Sequence, residues 1–176
     1  MLRLTPTVPD APRAVLALAF AEMASWGVLF YAYAVLLGPL ALRLGASEVT
    51  VAGAFSVALL TSGLAAGRVG VAIDRWGARP VMTLAAAVAA AAFALLAVVP
   101  SVAGLYLLWA VLGIAQAGVL YEPAFAAVTS WFPAERQRLR ALLVVTSLGG
   151  LASTVFLPVT AWLLGAGGLR PTVLTL

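Results

Sequence analysis

Five long apolar stretches joined by short turns are the feature that most constrains how this chain can fold. They cover approximately residues 14–38, 49–73, 80–99, 102–131 and 139–164. Each is long enough to cross a ~30 Å hydrocarbon core, which takes about 20 helical residues. Since 64% of the residues are hydrophobic and 9% are charged, a soluble fold of this size could not cover the apolar surface. The sequence therefore predicts an all-α, polytopic membrane helix bundle with about five transmembrane helices.

The connections between the stretches carry residues that end or begin helices. Ser47 follows Gly45 and is a predicted N-cap of the second helix. Gly77 lies in the turn between the second and third stretches, and Pro100 divides the third from the fourth. Without that proline the third and fourth stretches would form one uncharged run.

The placement of arginine predicts the orientation in the membrane. All ten basic residues are Arg, and, Arg68 aside, they divide unequally between the two sides. Seven fall in the N-terminal tail or after the second and fourth stretches, against Arg43 and Arg170 on the other side; the seven are Arg3, Arg13, Arg75, Arg79, Arg136, Arg138 and Arg140. By the positive-inside rule the N-terminus is predicted to be cytoplasmic. The chain is predicted to be an integral, multi-pass protein of the plasma (cell inner) membrane.

This orientation divides the chain into three parts. Residues 1–13 form a cytoplasmic N-terminal tail, residues 14–164 form a five-helix transmembrane bundle, and residues 165–176 form an extracytoplasmic loop with the beginning of a truncated sixth helix. A cleaved secretory signal is the weaker alternative for the N-terminus, because the first apolar stretch exceeds the ~7–15 residues of a signal core.

The residue types that are missing exclude several kinds of chemistry. The sequence has no Cys and no His, which removes thiol nucleophiles, imidazole bases and the usual zinc ligands. We therefore expect no catalytic residue, no metal site and no cofactor, and the chain is not predicted to be an enzyme. Because the Arg residues lie between apolar segments, their predicted partner is the lipid bilayer and not nucleic acid.

Two carboxylates inside the apolar stretches are candidates for a substrate or proton path. Glu22 lies in the first stretch and Glu122 in the fourth, each about nine residues from its cytoplasmic end, which places both ~13 Å deep. An ionisable group there costs ~3 kcal/mol or more unless it faces protein or water. The structural alternatives are that Glu22 reaches the interface or pairs with Arg13, and that Glu122 satisfies backbone groups freed by Pro123.

Aromatic and amide side chains near these acids complete the predicted path. Helical spacing places Trp26, Phe30 and Tyr33 on the same face of the first helix as Glu22. Gln116 and Tyr121 lie near Glu122 in the fourth stretch and are the other two candidates. Gln116 lies a turn and a half before Glu122 and points elsewhere. Aromatic residues at this spacing also serve as ordinary helix packing.

The turn after the second stretch contains the most specific pattern in the chain. Gly70, Asp74, Arg75, Gly77 and Arg79 combine an acid at a helix end, a glycine turn and flanking arginines; Gly70 would permit close approach of another helix. The alternative is an ordinary short loop that carries positive-inside arginines.

This pattern resembles the G-x-x-x-D-R-x-G-x-R-R signature, motif A, of the major facilitator superfamily, with Pro80 departing at the last basic position. The resemblance implies a cytoplasmic turn that stabilises one state of an alternating-access cycle. It also implies a partial N-terminal half of the major facilitator fold, in which helices one and four face a central cavity. The helix-four pattern R-x-x-Q-G of the family is met only by Gln116, since Gly113 and Ala117 replace its Arg and Gly.

These features predict transmembrane transport of a small solute, with an organic anion as the suggested class, by a secondary transporter of which this chain is the N-terminal part. Its partners would be the solute and either the missing C-terminal half or a second copy of the chain. The alternative is a non-transporting membrane helical subunit or truncated remnant that acts by association.

Overall fold

A computed structural model describes residues 11–176, and in this part of the chain the regular structure is entirely helical. The α-helices, with their bounds, are α1 Ala11–Trp26, α2 Ala32–Leu44, α3 Glu48–Trp76, α4 Ala78–Leu95, α5 Val102–Val119, α6 Tyr121–Trp131, α7 Glu135–Gly150, α8 Ala152–Gly167 and α9 Leu169–Thr175. A π-helical turn, Gly27–Tyr31, joins α1 to α2, and a 3₁₀ turn, Leu96–Val98, follows α4. The predicted all-α fold class is confirmed.

These helices form five segments that are long and apolar enough to cross a membrane. We refer to them as spans one to five: Ala11–Leu44, Glu48–Trp76, Ala78–Val98, Val102–Trp131 and Glu135–Gly167. The five predicted spans are therefore confirmed, with ends that mostly reach a few residues further than the apolar stretches alone. Most of the predicted N-terminal tail, residues 1–10, lies outside the described residues.

The helix ends follow the local chemistry of their turns. The Ser47 hydroxyl accepts a hydrogen bond from the backbone N–H of Thr50 at 3.1 Å, so the predicted N-cap of span two is confirmed. Gly77 has a φ of +87° between α3 and α4, a conformation that side chains with a Cβ rarely adopt. Its N–H donates to the carbonyl oxygen of Ile73 at 2.7 Å and closes the last turn of α3.

Three of the spans are interrupted near their middle. Span one contains the π-helical turn, span four changes at Leu120 to an extended backbone with φ −83° and ψ −161°, and span five changes helix at Leu151. The interruption in span four has a local cause in Pro123, which lacks an N–H and whose ring conflicts with the carbonyl four residues earlier. Interrupted membrane helices are tolerated where other protein groups surround the freed backbone.

Two separate apolar cores hold the spans together. The larger core joins α2, α3, α4 and α5 and includes Leu36, Val51, Phe93 and Trp109. The smaller core joins α1, α6 and α7 through Leu18, Val128 and Val145, with further small residues between them. The interruptions of spans one and four lie at the junction of these two cores. We call the end of the bundle that carries Arg75, Arg79, Arg136 and Arg140 the arginine-rich end.

Polar contacts tie the spans together around the larger core. The guanidinium of Arg43 donates to the carbonyl oxygens of Ala97 at 2.8 Å and Val99 at 3.1 Å, so it caps the end of span three. The Thr61 hydroxyl donates to the carbonyl oxygen of Ala110 at 3.0 Å. A Cβ placed on Gly113 would collide with the backbone of Ala58, so spans two and four touch backbone to backbone there.

The last described helix, α9, begins directly after Gly168, whose φ is +74°. It lies where the sequence predicts the beginning of a sixth helix, and its Thr172 and Val173 are buried. The leucine that opens it, Leu169, packs against the larger core. These seven residues, Leu169–Thr175, therefore pack as part of the bundle.

Candidate functional site

Glu22 on α1 is completely buried, with 0% of its surface exposed. Within residues 11–176 neither of its carboxylate oxygens has a hydrogen-bond partner. The indole N–H of Trp26, one turn later, is likewise buried and unpartnered in the described part of the chain. The two groups lie close enough to interact but not in hydrogen-bond geometry. A buried carboxyl and a buried donor with unused bonding capacity are unusual in a folded protein.

A line of aromatic rings extends from Glu22 in two directions. The Trp26 ring centroid lies 5.2 Å from that of Phe30 on the same span and 5.0 Å from that of Tyr121 on span four. The Tyr121 ring in turn stacks on Phe125, with centroids 5.2 Å apart. These separations are within the range in which aromatic pairs attract each other, so the rings join spans one and four beside the buried acid.

Glu122 lies next to this aromatic line but in a different environment. It is in the first turn of α6, directly after the interruption at Leu120, where the N-terminal end of a helix favours negative charge. Its side chain is exposed, and it is close enough to Glu22 for the two carboxyl groups to interact electrostatically. The structure thus brings together the two acids that the sequence singled out, one buried and one accessible.

Tyr33 lies further along span one, inside the larger core. Its hydroxyl donates to the carbonyl oxygen of Val51 at 2.5 Å, and its ring centroid lies 4.1 Å from that of Trp109. Phe55 on span two connects Tyr33 to Phe30, with centroid separations of 5.8 Å and 4.8 Å. The predicted acid-and-aromatic stripe is therefore continuous, but it passes through span two on its way to Tyr33.

Gln116 is 1% exposed and forms a hydrogen bond across the bundle. Its side-chain nitrogen donates to the carbonyl oxygen of Leu29 at 3.1 Å. Leu29 belongs to the π-helical turn of span one, where the wider turn alters the backbone hydrogen-bond pattern. Gln116 therefore joins spans one and four at the interruption.

Several residues that sequence reasoning did not single out complete the surroundings of the site. Phe156 on span five presses against Gly27, where a Cβ would collide with its ring. The Tyr121 hydroxyl reaches span five, where it lies against Gly149 and donates to the carbonyl oxygen of Thr146 at 3.4 Å. The glycines themselves, Gly27 and Gly149, were the available sequence signal for close side-chain packing. The aromatic residues that pack against them, Phe156 and Tyr121, lie far away in the sequence.

The turn that carries Gly70 to Arg79 lies at the arginine-rich end, separate from the acids. Asp74, Arg75 and Arg79 are all exposed, and the Arg75 guanidinium lies 5.6 Å from the centroid of the Trp76 ring. The close helix approach expected at Gly70 is not formed within residues 11–176, because no heavy atom lies within 4 Å of the position a Cβ would take. Gly77 adopts the turn conformation that was predicted.

The chemistry open to this arrangement is binding and transfer of protons or solutes. Among the described residues no group of three or more potential ligand side chains could hold a metal ion. The carboxyl groups lie on two spans that meet at interrupted backbone, as expected where a path crosses a helix bundle. We therefore take Glu22, Trp26, Tyr121 and Glu122 as the centre of the candidate site.

Comparison with known proteins places the chain in a family. No curated protein and no solved structure matches it. The model of the Major Facilitator Superfamily matches residues 14–176, a range that contains the acids, the aromatic line and the turn at the arginine-rich end. The match agrees with the all-helical architecture and its five membrane-spanning segments. The chain therefore belongs to the Major Facilitator Superfamily and is a multi-pass membrane protein of a transporter family.

Proposed function

We propose that this chain forms helices one to five of the N-terminal half of an alternating-access transporter, and that a small solute or proton passes along the junction of spans one and four. One observation carries the proposal: Glu22 is fully buried with unused bonding capacity, within electrostatic range of the accessible Glu122. An acid kept within a membrane bundle at a cost of ~3 kcal/mol or more is expected to serve a function.

Alternating access requires a second domain against which this bundle can rock. That domain is either a C-terminal half or a second copy of this chain. The same proposal places the protein in the plasma (cell inner) membrane with its N-terminus and the arginine-rich end in the cytoplasm, since the arginine placement favours that orientation. The turn that carries Asp74 and Arg75 would then contact the second domain in one state of the cycle.

The solute class is part of the proposal and needs its own test. An organic anion is the class suggested from the sequence. The described centre of the site presents two carboxylates, Glu22 and Glu122, together with aromatic rings, and anion selectivity would have to come from basic side chains on the second domain. A panel of radiolabelled organic anions, cations and neutral solutes, each measured for uptake into proteoliposomes with an imposed pH gradient, distinguishes these classes.

Uptake of at least one solute class, reduced by Glu22→Gln, is the expected result. The alternative of a non-transporting helical subunit predicts no uptake of any class by a well-folded, correctly inserted protein. Measuring the oligomeric mass in detergent in parallel shows whether two copies supply the two domains.

A further inference from the structure

An apolar groove of about 310 Å³ opens on the outer surface of the bundle, between α3 and α4. Its floor is α5, whose lining residues Ala115 and Gly118 are buried. Both walls consist of aliphatic and small side chains, apart from the indole ring of Trp76 on α3. They include Val69 and Ala72 on α3 and Pro80, Leu84 and Ala85 on α4. The described lining contains no charged side chain.

The groove is a built feature and not merely an apolar surface. Gly118 lies so close to α4 that a Cβ there would approach the Cβ of Ala85 to 2.6 Å, so the floor is held tightly against one wall. Leu84 and Trp76, on the two walls, are 68% and 64% exposed. A concave apolar channel of this kind, in a protein surrounded by lipid, matches an extended hydrocarbon chain better than a protein side chain.

Positive charge surrounds one end of the groove. The Arg75 guanidinium lies 5.6 Å from the ring centroid of Trp76, which lines the groove, and Arg79 directly precedes the lining residue Pro80. Both Arg are exposed. Asp74 is the acidic residue in the same turn, so the charge at this end is positive overall.

We propose that the groove binds one anionic phospholipid, with an acyl chain between α3 and α4 and the headgroup phosphate at Arg75 and Arg79. Trp76 would lie at the level of the headgroup, where indole rings prefer to lie in membranes. The positive charge at the mouth favours a lipid with net negative charge over a zwitterionic lipid with the same acyl chains. This site is separate from the acids of spans one and four, although it shares Arg75 with the turn that would contact the second domain.

The test is native mass spectrometry of the full chain released from nanodiscs that contain phosphatidylglycerol and phosphatidylcholine with identical acyl chains. One variant, Arg75→Gln with Arg79→Gln, removes the headgroup contacts, and another, Ala72→Phe, fills the groove. The matched control is Arg136→Gln with Arg140→Gln, which removes two exposed arginines from the same end of the bundle. Photo-crosslinking with a diazirine-bearing acyl chain on phosphatidylglycerol then locates the lipid along the chain.

We expect the unmodified chain to retain one phosphatidylglycerol in preference to phosphatidylcholine. The Arg75 and Arg79 double variant should bind it about twenty-fold more weakly, since each arginine near anionic headgroups contributes a gain of roughly five-fold. Ala72→Phe should bind neither lipid, and the control should bind as the unmodified chain does. Crosslinks should fall within residues 69–88 or 114–118, which line the groove.

Three results would overturn the proposal. Equal retention of the two lipids would show that the headgroup is not recognised. An equal loss in both arginine double variants would show a general effect of surface charge. Crosslinks outside both residues 69–88 and residues 114–118 would place the lipid elsewhere. A circular dichroism spectrum of every variant, compared with that of the unmodified chain, distinguishes loss of lipid binding from loss of helical structure.

Discussion

The indole ring of Trp26 lies 5.0 Å from the phenol ring of Tyr121, centroid to centroid, and this contact joins span one to span four beside the buried carboxyl of Glu22. It lies between the two apolar cores, at the level where the helices of both spans are interrupted. A junction between two packed units is a place where the units can shift against each other while each keeps its own packing.

Replacing Trp26 should separate the packing role of its ring from the role of its N–H. Trp26→Ala removes the contacts with Phe30 and Tyr121, and we expect it to lower the free energy of unfolding by about 1–3 kcal/mol. Trp26→Phe keeps an aromatic ring there, so its stability should be close to that of the unmodified chain. It should nevertheless reduce uptake about ten-fold, because the unpartnered N–H is then unavailable to a solute. Thermal unfolding in detergent and uptake in proteoliposomes measure the two effects; equal uptake by Trp26→Phe and the unmodified chain would assign this residue to packing alone.

Replacing Glu22 with an apolar side chain of similar size should stabilise the protein. Glu22→Leu removes a buried carboxyl that has no hydrogen-bond partner among residues 11–176, and we expect the free energy of unfolding to rise by about 1–3 kcal/mol. Glu122→Leu is the control, because this side chain is exposed and its replacement should change stability by less than ~0.5 kcal/mol. A clear loss of stability in Glu22→Leu would show that the carboxyl has a structural role.

Gln116 should contribute to stability through its bond to span one. Gln116→Leu leaves the carbonyl oxygen of Leu29 without its side-chain donor, and we expect a loss of about 1–3 kcal/mol. Gln137→Leu replaces an exposed glutamine in α7 and should have little effect. If Gln116→Leu abolishes uptake but unfolds at the same temperature as the unmodified chain, this residue belongs to the substrate path and not to the helix interface.

Two helical glycines provide a matched test of helix packing. Gly113→Ala forces a Cβ into the backbone of Ala58 and should destabilise the bundle by about 1–3 kcal/mol. Gly67→Ala places its Cβ in open space and should not destabilise, since Ala favours a helix more than Gly does. Equal unfolding temperatures for the two variants would contradict the backbone contact between spans two and four. The contact also explains why Gly113 stands where the helix-four pattern has Arg: no side chain fits there.

The architecture was largely predictable from local sequence, while the site was predictable only in part. Apolar length determines the five spans. The Ser47 hydroxyl caps the helix that begins beside it, and Gly77 acts through its own backbone conformation, so both could be identified from a few neighbouring residues. The pairing of Gln116 with Leu29 joins residues 87 positions apart, and nothing local indicates it. The π-helical turn lies in a run of apolar residues with no proline to mark it, whereas Pro123 does mark the interruption of span four. Glu22 and Glu122 could be chosen because a charge in an apolar run is costly wherever it points.

The most direct test of the central claim is the accessibility of one cysteine beside Glu122 from the two sides of the membrane. The chain has no native Cys, so Ala126→Cys introduces a single reactive thiol, one turn after Glu122 on the same face of α6. An impermeant maleimide is applied to vesicles of either orientation, with Gln137→Cys, at an exposed position of α7, as a marker for the arginine-rich end. If spans one and four line an alternating-access path, Ala126→Cys is labelled from both sides while Gln137→Cys is labelled from one. Labelling of Ala126→Cys from a single side, or from neither, would contradict the account.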